Sequence, residues 1–399
     1  MVLCTATQPA LDYVNKKLLL SPDGEIMGED AAKVHQSPAF QRVHLELAPV
    51  LSEKLWTTSD VADFLCSRMN DSEDNVNSIL VIHNTKSAAR KLYTQLKKEE
   101  WVQDQGIQLY HLSTSMCPAH RKDTLDEVRK GLIEHKPIIC ISTQLIEAGV
   151  DISFQCVLRS LAGLDSIAQA AGRCNRHGEV ESRNVYVFRS AEENLSRLKE
   201  IEAAGAVTCR LLREVQRDPQ RFGGNLLSQE AMRQYFEYVY YQLDNSQGLD
   251  YLLKDKGTLY ELLDRNRKNK DYYRNKHGHQ PDLYWAPAWA TAEEHFEVIS
   301  NSTRSVLVPY HDEAGKSEAD RVIADLNGAD RPEKLGELLR EAQQYVVNLY
   351  EYEWQELSQG GYLHPLLHGN CWVLLEQAYS KNYGIDLKGE GAETSFAGA

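Results

Sequence analysis

Gln169-Ala170-Ala171-Gly172-Arg173-Cys174-Asn175-Arg176 is the stretch of this sequence that carries the strongest structural signal. Side chains three or four positions apart share one face of a helix, so Gln169, Arg173 and Arg176 are expected to project in one direction from a helix end. Gly172 would let the backbone pack closely there. Guanidinium groups donate paired hydrogen bonds to phosphate oxygens, so the stretch predicts a phosphate-binding helix end. The alternative interpretation is a solvated helix end that happens to carry two arginines.

A second polar stretch lies upstream, directly after the apolar residues 137–141: Ser142-Thr143-Gln144-Leu145-Ile146-Glu147-Ala148-Gly149-Val150-Asp151. The apolar run predicts a buried strand, which places the polar residues at the end of that strand. A hydroxyl group and exposed backbone N–H groups in such a position can hold phosphates without reading bases. This stretch therefore indicates a second phosphate contact.

Working outward from these stretches, strands alternate with helices between residues 41 and 190. The predicted strands cover 79–83, 108–112, 137–142, 155–161 and 184–188. The predicted helices cover 86–98, a segment opened by Pro118, and 164–173. This alternation predicts an α/β fold with a parallel sheet that is covered by helices on both faces.

The remaining residues predict further segments around this lobe. We expect residues 1–40 to precede the lobe. Residues 191–245 are expected to be helical, and Leu195 and Leu198 are expected to lie within a helix. Residues 246–303 are expected to form a long, partly irregular connection. A small α+β domain is predicted over 304–399, with strands at 305–308, 345–354 and 371–375, helices at 317–327 and 332–344, and a flexible tail from 389. The predicted segments are therefore 1–40, 41–190, 191–303 and 304–399.

Composition limits the possible classes of protein. The chain of 399 residues has a formal net charge of −14, which argues against a protein that coats nucleic acid by charge alone. No run of eighteen apolar residues occurs, so no membrane contact is expected. The eight cysteines include no C-x-x-C pair, which argues against a zinc ribbon and favours buried free thiols in a cytoplasmic protein.

In combination, the polar stretches resemble the motifs of superfamily-two helicases. Residues 169–176 are similar to the Q-x-x-G-R-x-x-R pattern of motif VI, and 142–151 to motif V. Three further matches lie in the expected order: Cys4-Thr5-Ala6-Thr7 with motif III, Ile82-His83-Asn84-Thr85 with motif IV, and His111-Leu112-Ser113 followed by Arg121 with the next block. The chain therefore resembles the second RecA-like motor lobe of such an enzyme.

This resemblance implies a role for individual residues. The side chains that would act on the transferred phosphate are those of Gln169, Arg173 and Arg176. The nucleotide would lie near Gly149, Asp151 and Gly172. The nucleic-acid backbone would be held by Asn84, Thr85, Ser113, Arg121, Thr143 and Gln144. The residues expected to couple ATP state to strand binding are Thr5 and Thr7, and no metal ligand is expected.

A finer resemblance is to the CRISPR-associated helicase–nuclease of type I interference systems. It rests on Leu158-Arg159-Ser160, on residues 162–169 and on Asn175-Arg176-His177-Gly178, and it is strong over 79–190 and weak beyond. It implies a 3′-to-5′ single-strand DNA translocase that a CRISPR RNA-guided surveillance complex recruits. The family's first motor lobe and nuclease domain would precede Met1, so we expect a fragment, a split gene product or an internally initiated product. ATP would then be shared with that lobe, which would also hold Mg²⁺.

Two other classes remain open at this point. One is a helicase half from another superfamily-two family, such as the DEAD-box proteins, although Gln169-Ala170 replaces the usual H-R of motif VI. The other is a non-catalytic module that binds nucleic acid or a partner, because the sequence contains no G-x-x-x-x-G-K-[S/T] loop and no D-E-x-D/H box. Three shorter patterns favour ordinary surface loops over functional sites: Gly315-Lys316-Ser317, His311-Asp312 and His277-Gly278-His279.

The predicted connection contains a basic, aromatic segment. Residues 264–276 hold six Lys or Arg and two Asp, a local charge of +4 in an acidic chain. Cations beside aromatic rings suit single-strand DNA, so we expect a contribution to binding from Arg265, Arg267, Lys268, Lys270, Tyr272 and Tyr273. The alternative is a solvated linker whose rings pack on neighbouring helices.

Overall fold

The computed structural model describes residues 7, 10, 13, 41–52, 54–72, 74–245, 251–253, 257–282, 287–296, 303–312, 317–328 and 332–388. Of these, 41–232 and 303–388 belong to one compact unit, and those between 233 and 296 belong to a second. The predicted segment 191–303 is thus divided between the two units. The four predicted segments themselves stay predictions.

Seven strands build the central sheet of the first unit: β1 (Val43–Glu46), β2 (Leu55–Trp56), β3 (Ser78–His83), β4 (Gln108–Leu112), β5 (Ile138–Thr143), β6 (Cys156–Ser160) and β7 (Arg183–Ser190). Their order is β1-β7-β6-β3-β5-β4, with β2 also paired to β7, and every pair is parallel. The predicted parallel sheet is therefore confirmed.

The helices of this sheet are α1 (Ala48–Leu51), α2 (Thr58–Met69), α3 (Lys86–Leu96), α4 (Glu100–Asp104), α5 (Pro118–Ile133), α6 (Leu164–Ala171) and α7 (Lys199–Arg217). Strand β3 shows how both faces are covered. Ile79 and Val81 pack into one core, whereas Leu80 and Ile82 pack into the other, and all four are fully buried. A strand that is buried on both faces is apolar along its whole length. Strand β3 was therefore predicted from a continuous apolar run and not from an alternation of polar and apolar residues.

Two predicted helix boundaries are wrong. Leu195 and Leu198 lie before α7, which begins at Lys199, because residues 191–198 form turns in which Glu193 points into the sheet edge. Helix α6 ends at Ala171 rather than at 173. The segment 246–303 was predicted to be partly irregular, and its described residues include two short strands and three helices.

The elements of the second unit follow in chain order. They are α8 (Gln229–Asn245) from residue 233 onward, β8 (Leu252–Leu253), β9 (Gly257–Thr258), α9 (Leu259–Leu263), α10 (Arg267–His277) and α11 (Trp289–His295). Strands β8 and β9 pair antiparallel, and the Thr258 hydroxyl caps α9 by accepting a hydrogen bond from the Glu261 N–H at 3.1 Å. Helix α10 contains the predicted basic residues Arg267, Lys268 and Lys270, whereas Arg265 lies just before it, and the helix has no buried side chain.

The C-terminal residues form a small α+β domain, as predicted: β10 (Thr303–Leu307), α12 (Glu318–Asn327), α13 (Pro332–Ala342), β11 (Val346–Tyr350), α14 (Glu351–Gln359), β12 (Leu363–Leu366), β13 (Cys371–Leu374), β14 (Tyr379–Ser380) and β15 (Gly384–Ile385). The sheet order is β11-β10-β13-β12. The predicted strand 345–354 is wrong in its second half, because the Glu353 carboxylate accepts the backbone N–H of Tyr350 at 2.9 Å and starts a helix there.

This domain packs against α3 and α5 of the parallel-sheet lobe. Lys86 pairs with Glu353 at 2.6 Å, and Arg90 pairs with the fully buried Asp386 at 2.6 Å. The ring of His120 accepts a hydrogen bond from the Tyr379 hydroxyl at 3.0 Å and stacks on Tyr310. In the part of the chain that the structure describes, no helix is both long and apolar enough to cross a membrane.

Candidate nucleotide and nucleic-acid site

The carboxyl ends of three neighbouring parallel strands bring predicted site residues to one edge of the sheet. In the register, His83 lies opposite Thr143 and Leu112 lies opposite Ser142, so β3, β5 and β4 end side by side. Ligands of open parallel sheets bind at this edge. The predicted motif IV, the predicted motif V and the block near Ser113 therefore meet at this edge.

The two predicted phosphate-binding arginines contact the loop that follows β5. Arg173, which is 7% exposed, donates from Nε to the Ile146 carbonyl at 2.9 Å and from Nη2 to the Glu147 carbonyl at 2.5 Å. Burial, followed by the nearby Arg176 charge, lowers the pKa of Arg173. Residues 142–151 and 169–176 thus form one structural site.

Arg176 lies at the surface of the same site. Its Nε is 2.6 Å from Oδ1 of Asp151, and 35% of its side chain is exposed. The hydrogen bond and the charge of Arg176 lower the pKa of Asp151, so this carboxylate is ionised. The backbone of Arg176 makes two hydrogen bonds: its carbonyl accepts from the Arg42 side chain, and its N–H donates to the Ser153 hydroxyl at 2.9 Å. Arg176 is therefore held at its backbone and accessible at its side chain.

The geometry differs from the single helix face expected for Gln169, Arg173 and Arg176. Because α6 ends at Ala171 and Asn175 has a φ of 44°, both arginines lie beyond the helix. Gln169 stays on the helix and is half-buried. Gly172 is the C-cap, where a Cβ would lie 3.2 Å from the Gln169 carbonyl oxygen. Gly149 is exposed with a φ of 73°.

A buried polar network that the sequence did not predict lies directly behind these residues. Arg159 is fully buried on β6, and its Nε lies 2.8 Å from Oε1 of Glu147. Its guanidinium also donates to Oδ1 of Asn84 at 2.9 Å and to the Ser166 hydroxyl at 3.0 Å. One side chain thus joins the loops after β3 and β5 to the start of α6. The only sequence signal was a charged residue within an apolar strand.

A second carboxylate completes this network. Glu193 accepts hydrogen bonds from the backbone and side-chain nitrogens of Asn84, both at 2.7 Å, and from the Ser160 hydroxyl at 2.7 Å. Its other contact is the His83 ring at 3.0 Å. Burial opposes ionisation of Glu193, but these hydrogen bonds outweigh it and lower its pKa. Asn84 is 7% exposed, so its side chain is fully engaged within the protein.

The other predicted nucleic-acid ligands differ in accessibility. Thr85 is half-buried and caps α3 by accepting the Ala88 N–H at 3.3 Å. Ser113 is fully buried, and its hydroxyl accepts the Ser115 N–H at 3.2 Å. Arg121 is half-buried and donates to the Met116 carbonyl at 3.2 Å. Of the β5 pair, Thr143 is 8% exposed and Gln144 is half-buried.

The remaining predicted residues lie away from this edge or outside the described part. Thr5 is outside the described residues, and Thr7 is a half-buried bend. Ser317 caps α12 by accepting the Asp320 N–H at 2.9 Å, whereas residues 313–316 lie outside the described residues. His311 pairs with Asp320 at 3.0 Å. Among the residues described, no group of three or more His, Cys, Asp or Glu is arranged to hold a metal ion.

Comparison with known proteins places this site in a family context. Residues 75–179 match the model of the CRISPR-associated nuclease/helicase Cas3, C-terminal. A CRISPR-associated nuclease/helicase Cas3 of Methanothermobacter thermautotrophicus is 24% identical over 237 residues, which are 55% of this chain and 26% of that protein. The Haloferax volcanii protein of the same name is 65% identical over 43 residues, which are 11% of this chain and 5% of that protein.

Solved structures agree on the fold. The crystal structure of T. fusca Cas3 matches 84% of this chain with a TM-score of 0.52 and 14% identity, and the chain covers 39% of it. The ATP complex of the same protein gives a TM-score of 0.51 and 17% identity over the same shares. The chain thus spans well under half the length of these relatives. The resemblance to the C-terminal part of the CRISPR-associated helicase–nuclease, and the RecA-like fold of its parallel-sheet lobe, are confirmed.

Proposed function

We propose that this chain is the second motor lobe and accessory domain of an ATP-dependent 3′-to-5′ single-strand DNA translocase of CRISPR interference. The observation that carries the proposal is the attachment of Arg173 and Arg176 to the loop after β5 at the ligand-binding edge of the sheet. Nucleotide and nucleic-acid contacts would then be linked through one loop. A motor that converts phosphate chemistry into movement along a strand needs such a link.

In this proposal, the two arginines act on the transferred phosphate of ATP. Arg176 is better placed to reach it, because it can exchange Asp151 for a phosphate while its backbone stays fixed. Arg173 holds the carbonyls of Ile146 and Glu147 and thereby orients the loop. An arginine that stabilises the charge of phosphoryl transfer contributes about 10³–10⁵ in rate. Gln169, Gly149 and Gly172 would line the same nucleotide edge.

The nucleic-acid backbone would lie across the same edge. Thr143 ends β5, and Gln144 and Thr85 lie within two residues of a strand end. Their hydroxyl and amide groups can bind phosphates without reading bases. Asn84, Ser113 and Arg121 would support these ligands from within. Thr5 and Thr7 keep their proposed coupling role.

Several components of this function would come from other polypeptide segments. ATP would be shared with a first motor lobe that binds Mg²⁺ and the β- and γ-phosphates, because the phosphate-loop motif does not occur in these 399 residues. A nuclease domain and a CRISPR RNA-guided surveillance complex are the proposed partners, and the cytoplasm is the proposed location. These proposals rest on the family resemblance.

The test is single-strand DNA-stimulated ATP turnover by the chain with and without a first motor lobe of such a system. We expect turnover only in the mixture. There, Arg176→Ala should abolish turnover while ATP binding survives, because the lost contact acts on transition-state charge. Arg173→Ala should also abolish turnover, because the loop after β5 would lose the side chain that orients it. Arg129→Ala is the matched control, since Arg129 is exposed on α5 and pairs with Asp126. An unchanged kcat in the Arg176 variant would contradict the proposal. DNA binding without any turnover in the mixture would favour a non-catalytic binding module.

A further inference from the structure

Two neighbouring tyrosines of the C-terminal domain form an exposed aromatic pair. Tyr350 ends β11 and Tyr352 lies in the first turn of α14. Their ring planes are within 8° of parallel, with centroids 6.0 Å apart. They are 45% and 46% exposed, whereas the neighbouring Trp354 is 7% exposed. Single exposed apolar residues need no explanation, but two large rings held parallel at the surface form a flat stacking surface.

This aromatic pair is fixed directly beside the loop after β3. The Glu353 carboxylate accepts the backbone N–H of Tyr350 at 2.9 Å with one oxygen and pairs with Lys86 at 2.6 Å through the other. Lys86 follows Asn84 and Thr85, the predicted motif IV residues. Glu353 is 5% exposed, so the connection is shielded from solvent. The tyrosines therefore keep their place relative to the proposed nucleic-acid site.

Cations surround the rings. The Lys86 ammonium lies 5.2 Å from the centre of the Tyr350 ring, and the Arg197 guanidinium lies 5.2 Å from the centre of the Tyr352 ring. Arg304 lies nearby on β10, where it pairs with Glu351 at 3.1 Å. Arg197 is exposed. Exposed rings together with cations suit single-stranded nucleic acid, because bases stack on rings while cations contact phosphates. Here each cation lies over a ring, so a stacked base would take its place and leave the cation free to contact a phosphate.

We infer that Tyr350 and Tyr352, together with Arg197, bind a single strand of DNA that continues past the loop after β3. This inference deepens the proposed function and rests on it. The rings would stack bases in a sequence-tolerant way, and Arg197 would contact the backbone. The C-terminal domain would thereby contribute directly to strand binding.

The test measures the affinity of the purified chain for a fluorescein-labelled oligodeoxythymidylate. Tyr350→Ala and Tyr352→Ala should each weaken binding by about 5- to 150-fold, which corresponds to about 1–3 kcal/mol per stacked base. Tyr352→Phe keeps the ring and should bind more tightly than Tyr352→Ala, because stacking needs the ring and not the hydroxyl group. Tyr260→Ala is the control for an exposed tyrosine, since Tyr260 is 66% exposed on α9 of the second unit. Thermal melting of each variant reports whether the fold is kept.

Two further arms separate stacking from charge. An abasic oligonucleotide of the same length offers no bases, so the tyrosine variants should bind it as the unchanged chain does. Arg197→Ala should reduce the slope of log affinity against log salt concentration by about 0.7. Arg340→Ala, at an exposed position on α13, should leave this slope unchanged. Equal affinity of the folded alanine variants and the unchanged chain overturns the inference, as does a chain that binds no oligonucleotide. The turnover measurements with Arg176→Ala decide the proposed function separately.

Discussion

Arg159 Nε lies 2.8 Å from Glu147 Oε1, in a place where neither side chain is more than 6% exposed. This ion pair joins β6 to the loop after β5, which also carries the carbonyls that hold Arg173. Removing one partner of a buried ion pair leaves an uncompensated charge. The position of the loop after β5 therefore depends on Arg159, a residue outside the predicted motifs.

Arg159→Leu should lower the free energy of unfolding by about 3–5 kcal/mol, since Glu147 would be left buried without its partner. Urea unfolding followed by circular dichroism measures the change. Arg129→Leu, which removes an exposed pair with Asp126, should cost less than about 1 kcal/mol. In the double variant Arg159→Leu/Glu147→Gln, the free energy of unfolding should fall by less than the sum of the losses in the two single variants. Strict additivity would show that the pair is not coupled.

The contact between the C-terminal domain and the lobe can be tested at a glycine. Gly384 has a φ of 80°, and a Cβ there would lie 2.1 Å from the Ser115 carbonyl oxygen. That carbonyl accepts the backbone N–H of Ile385 at 2.8 Å, so the two backbones cannot separate without losing a hydrogen bond.

Gly384→Ala should therefore lower the melting temperature clearly more than Gly361→Ala does. Gly361 has a φ of 73° but open space around its Cβ position, so its substitution has only the conformational cost of about 1–2 kcal/mol. Scanning calorimetry of both variants measures the difference. Equal melting temperatures would show that the Ser115 contact adds nothing to stability.

The parallel sheet could be predicted because its signal is local. Strands β3 and β5 are apolar throughout, and the helices between them carry apolar stripes. Arg176 and Asp151 belong to two predicted motifs, and the structure brings them together. The roles predicted for both residues stay predictions. The contacts of Arg173 and Arg176 were not predicted, because the helix was expected to continue to 173 but ends at Ala171.

The polar network could not be predicted, because its members lie far apart in the chain. Glu193 sits in a stretch with apparent helical spacing, and its burial depends on donors at His83, Asn84 and Ser160. Likewise, Glu353 ends β11 by capping the next helix and at the same time pairs with Lys86. Periodicity describes which face is apolar, but it does not show which distant polar groups meet.

Two buried histidines predict an acid-sensitive fold. Burial lowers the pKa of His111 to about 3 and that of His120 to about 4. In the unfolded chain both have a pKa of about 6.5, so below that pH the unfolded state binds more protons than the folded state. The free energy of unfolding should fall as pH drops from about 6.5 to about 4, by about 1.4 kcal/mol per pH unit for each histidine.

His111→Leu should remove one of these two contributions. Neither ring nitrogen of His111 has a hydrogen-bond partner among the described residues, so the variant loses no hydrogen bond. Urea unfolding at about pH 7 and about pH 5 should show a smaller loss than for the unchanged chain. His364→Gln, at an exposed position on β12, should keep the full loss. An identical pH dependence in all three proteins would contradict the assigned pKa of His111.

The last prediction concerns the basic helix α10, which we expect to hold single-strand DNA through cations and rings separately. None of its side chains is buried, and Tyr272 is 67% exposed, so the alternative in which this ring is packed core is not supported. Replacing Arg265, Arg267, Lys268 and Lys270 by alanine should flatten the salt dependence of binding, by about 0.7 in slope per lost phosphate contact. Replacing Tyr272 and Tyr273 should weaken binding and leave the slope unchanged, because stacking releases no counterions.

Affinity measured at several salt concentrations, together with melting temperature, distinguishes these effects. Tyr273 contacts His277 with ring centroids 4.4 Å apart, so its loss can also loosen the end of α10. Tyr272→Ala, with its ring in solvent, is therefore the cleaner variant, and Tyr260→Ala is its control. Unchanged affinity in both the cation and the tyrosine variants would mean that the local charge of +4 serves only to keep an exposed helix solvated.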